Sequence, residues 1–152
     1  MNKQLQKIYR NDQKDRRENL DWKLIIKRDK ERRKEVRTLL KTSKIKTGKD
    51  FFYASIIFQH GPSLTDSRMA MNLASKSMKL GCKKAKRMSA LALDRYLIKN
   101  GKKQRFGTQY FKKSPKDKWK LHSVDPKTTD KERTLYNIES LAELKRQVSK
   151  LN

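Results

Sequence analysis

Leu5, Ile8, Tyr9, Asp12 and Arg16 follow one another at three- and four-residue spacing, which predicts an amphipathic helix near the start of the chain. Trp22, Ile25, Asp29, Arg32, Val36 and Leu39 repeat the pattern and predict a second. In both stripes an acidic residue stands where an apolar one is expected, and arginine follows three or four places later. The spacing therefore predicts charges that turn inward and meet each other. An inward charge is stable only where a partner satisfies it.

Thr47 with Asp50 has the form of a capping box and opens a short apolar helix through Phe52, Tyr53, Ile56 and Ile57, which Gly61 and Pro62 end. Ser63 or Thr65 starts the next helix, with Met71, Leu73, Ala74 and Met78 on its inner face. Gly81 stops it, and a further helix carries Ala85, Met88, Leu91 and Ala92. Small residues on these two segments predict a close helical hairpin. Asn100 and Gly101 close the second of them. The glycine and aromatics of 104–111 predict a loop running into a short strand, with 119–124 as its partner. After the turn at Asp125 and Pro126, Thr129 and Glu132 form another capping box, and Ile138, Leu141, Leu144, Val148 and Leu151 mark one C-terminal helix. The fold class expected is all-α: a compact bundle of about five to six amphipathic helices, with one small β-hairpin or loop insertion near 104–124. A chain of 152 residues fits one domain, 1–152, able to bury its own core.

Composition sharpens this picture in two ways. Only 34% of residues are hydrophobic while 38% are charged, so the core is narrow and much of each helix is solvated. The single cysteine, Cys82, leaves no internal disulfide and no multi-cysteine zinc site, which fits a reducing compartment, the cytoplasm or an organelle matrix. The apolar run 51–58 is too short to span a bilayer and no apolar signal segment follows Lys3, so a soluble, non-secreted protein without a membrane partner is expected.

Two sets of residues are candidates for function. In the first, His60 lies in helical phase with Tyr53 and Ile57, just ahead of Gly61-Pro62. It is either a histidine that satisfies a helix end or a core group, or a general base near neutral pH, with Gln59 as a polar neighbour. Asp94 and Arg95 interrupt the run Ala90-Leu91-Ala92-Leu93, so one of them faces inward. The Asp94 carboxylate either forms a structural ion pair with Arg16 or Arg33, or orients the His60 imidazole; Asp12 is the other carboxylate in contention for that role. Arg16, Arg95 and Gln104 would then bind an anionic or amide substrate. The segment 101–110 adds Gln104, Thr108 and Gln109 between glycines, but it lacks the Gly-Lys-Ser/Thr ending of a phosphate loop. His122 stands apart from His60 on the hairpin, so no histidine pair has metal-ligand spacing, and neither a metal nor a cofactor is expected. No nucleophile elbow is present, and Cys82 carries no signature of a nucleophile.

The second set is basic. A net charge of +25 is self-repulsive unless a polyanion neutralises it, so a phosphate-bearing partner is expected. Cations cluster at 27–37, 83–87, 99–105 and 112–120, interleaved with Phe106, Tyr110, Phe111 and Trp119. Lys83, Lys84, Lys86, Arg87, Lys102, Lys103, Arg105, Lys112 and Lys113 are the candidate nucleic-acid contacts. Lysines of this kind hold phosphates and exposed aromatics stack on unpaired bases. A solvated lysine face is the alternative. No helix-turn-helix, zinc-finger or RNA-recognition signature occurs, so contact with the backbone and shape of structured RNA, such as ribosomal RNA, is the favoured reading. A hydrolase or transferase built on His60 is the second.

The order Asp12-Gln13 with Arg16, Asp21-Trp22, Asp50-Phe51-Phe52, Phe58-Gln59-His60-Gly61, Asp94-Arg95-Tyr96-Leu97, Gly101 with Gln104, Phe106-Gly107-Thr108-Gln109, Trp119, and Thr129-Asp130 with Arg133 resembles a bacterial domain of unknown function, family 6624, along nearly the whole chain. The resemblance implies a compact helical domain in which Asp12, Arg16, His60, Asp94, Arg95, Gln104, Thr108 and Gln109 meet in one place. It supplies no reaction. Phe106 stands where that family usually has tyrosine, and the charge here is more basic than expected of its members.

Overall fold

Short polar side chains set where most of the helices begin. In the computed structural model, which describes residues 1–152, Asn2, Asp21, Thr47 and Ser63 cap α1 (Lys3–Arg17), α2 (Trp22–Lys41), α3 (Gly48–Gln59) and α4 (Leu64–Lys79), each accepting from a backbone amide of the first turn. Thr47/Asp50 and Ser63/Asp66 are reciprocal capping boxes. The fifth helix, α5 (Ala85–Lys99), follows Lys84 and has no side-chain cap. Asp50 does more than cap, because it also accepts the Asn2 amide at 2.8 Å and so fastens the start of α1 to the start of α3.

The fold is all-α, seven helices with one two-stranded antiparallel sheet. β1 (Tyr110–Phe111) pairs with β2 (Lys120–Leu121), Tyr110 opposite Leu121, and a separate parallel bridge joins Gln104 to Val124. The hairpin thus falls within the predicted insertion. The C-terminal segment, expected as one helix, is two: α6 (Asp130–Leu135) and α7 (Leu141–Ser149). Asn137 takes a left-handed φ of 55°, a conformation its short amide tolerates, and Ser140 then caps a new helix by accepting the Glu143 amide. The break still delivers Ile138 to the interior, since its amide bonds back to the Arg133 carbonyl.

α4 packs between α3 and α5. Ser67, Ala70, Ala74 and Ser77 are fully buried along it, and their small side chains permit the close approach that the sequence predicts. The Ser77 hydroxyl donates to the Gly48 carbonyl at 2.5 Å, clamping α4 to the first turn of α3. The main core gathers Leu5, Val36, Leu39, Ile57, Phe58 and Leu73, and a smaller one joins Ala90, Phe106, Ile138 and Leu144. Trp22 departs from the expected stripe: at the first position of α2 it is 67% exposed, and the buried stripe starts at Ile25. No helix is long and apolar enough to cross a membrane.

Gly61 is where α3 turns into α4. A β-carbon there would lie 2.3 Å from the Asp66 β-carbon, closer than any real contact. Gly61→Ala is therefore expected to lower the unfolding free energy by about 3 kcal/mol in urea titration. A variant as stable as the parent would show that Asp66 does not press on this turn.

Candidate functional site

The inward charges predicted on α1 and α2 form a network of three aspartates and three arginines. Asp12 accepts from Arg16 at 2.7 Å, and the same guanidinium reaches Asp29 at 2.7 Å. Arg32 bonds Asp29 at 3.0 Å and also pairs with Asp15, which Arg28 meets at 2.7 Å. Asp12, Asp15, Asp29 and Arg32 are all buried. Burial alone would raise the Asp12 and Asp15 pKa values, but for Asp12 the His60 hydrogen bond and the His60 and Arg16 charges outweigh it, and for Asp15 the Arg32 and Arg28 contacts do. Both carboxyls are held below the ordinary carboxylate range.

His60 joins this network from the C-terminal end of α3. Its Nδ1 lies 3.2 Å from Asp12 Oδ1, and its side chain is 22% exposed. Asp12, not Asp94, is thus the carboxylate that faces His60. Ligand atoms of Asp12, Asp29 and His60 fall within 4.8 Å of one another, the spacing of a cation site. Guanidinium groups of Arg16 and Arg32 lie on those same carboxylate oxygens, so the neutralising cations of this cluster are side chains.

Asp94 does something else. Its Oδ1 accepts the amides of Arg105 at 2.7 Å and Phe106 at 2.9 Å, and its Oδ2 accepts the Thr108 amide at 3.0 Å and hydroxyl at 2.8 Å. Four donors converge on one fully buried carboxylate, so Asp94 neither orients His60 nor pairs with Arg16 or Arg33. It fixes the loop 105–108 to α5. Gln104 fixes the hairpin in the same manner, donating to the carbonyls of Gln109 and His122 and accepting the Gln109 amide. Both side chains are 0% exposed. Arg133, also nearly fully buried, ties α6 to this loop by donating to the Phe106 and Thr128 carbonyls.

Arg95 bridges the two groups. It donates to the Gln109 side-chain oxygen at 3.2 Å and to the Gln59 carbonyl, and its pKa is lowered by burial. Gln59 itself is buried, donates to the Leu91 carbonyl at 3.3 Å and leaves its side-chain oxygen without a partner. The eight residues of the resemblance are therefore arranged as two adjoining clusters, Asp12, Arg16 and His60 on one side and Asp94, Gln104, Thr108 and Gln109 on the other, with Arg95 between. Sequence reading missed Asp15 and Asp66. Asp66, buried and bonded to Arg37 at 2.6 Å, could have been found from its place three residues after Ser63.

The basic candidates divide by residue type. Arg87 pairs with Glu139 and Arg105 with Glu132, each at 2.9 Å, so these two clamp the C-terminal helices to the rest. Lys83, Lys84, Lys86, Lys102, Lys103, Lys112 and Lys113 are exposed and free of carboxylates; Lys112 lies 4.9 Å above the Trp119 ring. No family model, curated protein or solved structure matches the chain.

Two outcomes follow for stability. Removing the Asp94 carboxylate leaves buried donors unpaired, so Asp94→Ala is expected to cost about 3–5 kcal/mol in urea unfolding, whereas a loss under about 1 kcal/mol would show the loop to be held by other means. The lowered Asp12, Asp15 and Asp50 values give a sign for acid: the unfolded chain takes up protons near the ordinary value of 3.8 while the native chain stays ionised. Stability is then fully present above about pH 5 and falls as pH drops through the native values. Asp12→Asn should make that acid decline shallower; an unchanged slope would remove Asp12 from the network's charge.

Proposed function

We propose that the protein binds nucleic acid, structured RNA foremost, through its lysine-bearing surfaces. The observation that carries this reading is the sorting of charge. Asp12, Asp15, Asp29, Asp50, Asp66 and Asp94 are buried, and the ion pairs of the fold are made almost wholly by arginines. Lys14 is the single lysine in an ion pair, with Glu18. The net charge of +25 is therefore a lysine charge facing solvent, with many of its acidic counterweights withdrawn inside. Lysine is a mobile point charge suited to phosphates whose positions vary along a backbone, and it carries no base-reading geometry by itself. A depression of about 500 Å³ is lined by Lys102, Lys103 and Lys127, with Arg105, already paired with Glu132, and the Asp125 carboxylate beside them, so its three lysines leave it net positive. On the hairpin, Lys112 and the edge-packed pair Tyr110 and Trp119 combine a cation with aromatic surface.

The measurement is fluorescence anisotropy of a labelled RNA hairpin against purified, nuclease-treated protein over a salt series. Affinity is expected to fall steeply with salt, and replacing Lys102, Lys103, Lys112 and Lys113 together by glutamine is expected to reduce the log–log salt slope by roughly 0.7–0.9 for each phosphate that is no longer neutralised. Absence of binding near 0.1 M salt, or a slope that the four substitutions leave unchanged, would reject these surfaces as the RNA contacts.

A second reading, a hydrolase or transferase, is favoured by one observation, the His60–Asp12 pair. Its geometry is that of a base and its orienter, with Nδ1 on the carboxylate and Nε2 without a protein partner. Against it stands Arg16, whose guanidinium lies on the same Asp12 oxygen that faces His60. In this reading Nε2 takes the proton of a nucleophile approaching from solvent, and Arg95 binds the anionic substrate. A metabolite screen in which turnover disappears in His60→Ala, with folding retained by circular dichroism, would establish it; equal turnover in the variant would end it.

A further inference from the structure

A second concave site lies away from the polar clusters, between the middle of α1, the start of α3 and the α4–α5 turn. Its volume is about 480 Å³, within the range of small-molecule sites. Aromatic side chains line it: Tyr9 from α1, and Phe52 and Tyr53 from α3. Tyr9 and Tyr53 are stacked, with centroids 4.2 Å apart and planes 17° from parallel, and Phe52 tilts against Tyr53 at 5.9 Å. Tyr53 is almost buried while Tyr9 and Phe52 are partly open, so flat apolar ring surface is presented to whatever enters.

The rim carries positive charge. Lys49 stands 5.8 Å from the Tyr53 ring centre, and Lys83 and Lys84 close the other side from the turn. None of the three pairs with a carboxylate. The turn that places the last two is firmly built. Gly81 takes a φ of +80°, and the amides of Gly81 and Cys82 bond back to the carbonyls of Met78 and Ser77, a Schellman ending. Lys83 and Lys84 therefore project from a fixed corner, not from a loose loop.

An aromatic floor with a ring of free ammonium groups matches a flat, polarisable, neutral ring flanked by anions. We infer that this cavity receives one unpaired base of a single-stranded RNA segment, stacked against Tyr9 and Phe52, with Lys49, Lys83 and Lys84 on the phosphates to either side. This rests on the nucleic-acid reading and adds to it a place where base, and not only backbone, is bound. A fully paired duplex offers no free base and contacts the lysine faces alone.

Cys82 lines the same cavity and is the one cysteine of the chain, which makes it a reporter. The experiment measures the rate at which N-ethylmaleimide, a neutral reagent, modifies Cys82 in the full-length protein, read by intact mass, with a single-stranded oligoadenylate or a blunt RNA duplex at equal bound fraction. The oligoadenylate is expected to slow modification at least fivefold and the duplex to leave it near the free rate. Tyr9→Leu, and separately Lys83→Gln with Lys84→Gln on the exposed turn, should weaken oligoadenylate binding about tenfold while duplex affinity falls much less. Oligoadenylate that binds by anisotropy yet leaves Cys82 at its free rate would overturn the cavity as the base site while the lysine-face reading stands. Failure of both RNAs to bind would overturn both.

Discussion

A charged carboxylate removed from water has to be met by cations or by several hydrogen-bond donors, or it unfolds the structure around it. This chain buries six aspartates and meets the demand in three different ways. Asp12, Asp15 and Asp29 are neutralised by Arg16, Arg28 and Arg32. Asp50 and Asp66 close helix caps, where amides and a hydroxyl supply the donors and, for Asp66, Arg37 adds charge. Asp94 is satisfied by backbone amides of a loop and one hydroxyl. Most of these solutions join two elements, so the buried carboxylates act as the fasteners of a bundle whose apolar core is narrow.

The same arrangement decides the character of the surface. The planar guanidinium of arginine satisfies two carboxylates at once, as Arg32 does for Asp15 and Asp29 and Arg16 for Asp12 and Asp29, so arginines are the cations that answer the buried acids. Lysine is left outside with little acid to balance it, and a strongly positive exterior is the consequence. Interior pairing and a predicted affinity for polyanions are therefore two sides of one allocation of charge. His60 sits where the interior network reaches solvent, which is why its second ring nitrogen stays available.

Much of the architecture was legible in the sequence because local rules and tertiary packing agree. The capping boxes at Thr47 and Thr129, the glycine at 81 and the small-residue face of α4 each carry a local signal with a mechanism. The inward Asp–Arg pairs were legible as anomalies in an apolar stripe. What was not legible depends on long-range partners. Asp94 reads as a stray charge on an apolar helix until the loop 105–108 folds over it, and the interruption at Asn137 lies beside a stripe, from Ile138 to Leu151, that a break satisfies as well as one continuous helix. Trp22 keeps the helical phase of α2 yet lies ahead of the first position that meets the bundle. Arg133 gave no sign, in its own neighbourhood, that it would be among the most buried side chains of the molecule.

Asp12, Asp15 and Asp50 stay ionised inside the bundle because the fold supplies their partners. Carbon-detected NMR titration of the aspartate carboxyls tests it most directly. Asp12, Asp15 and Asp50 are all expected to titrate below the ordinary 3.8, with burial overcome by their cationic and amide partners. Values at or above the ordinary one would mean that burial outweighs the cationic and amide partners, and that these contacts do not hold the carboxylates in their charged form.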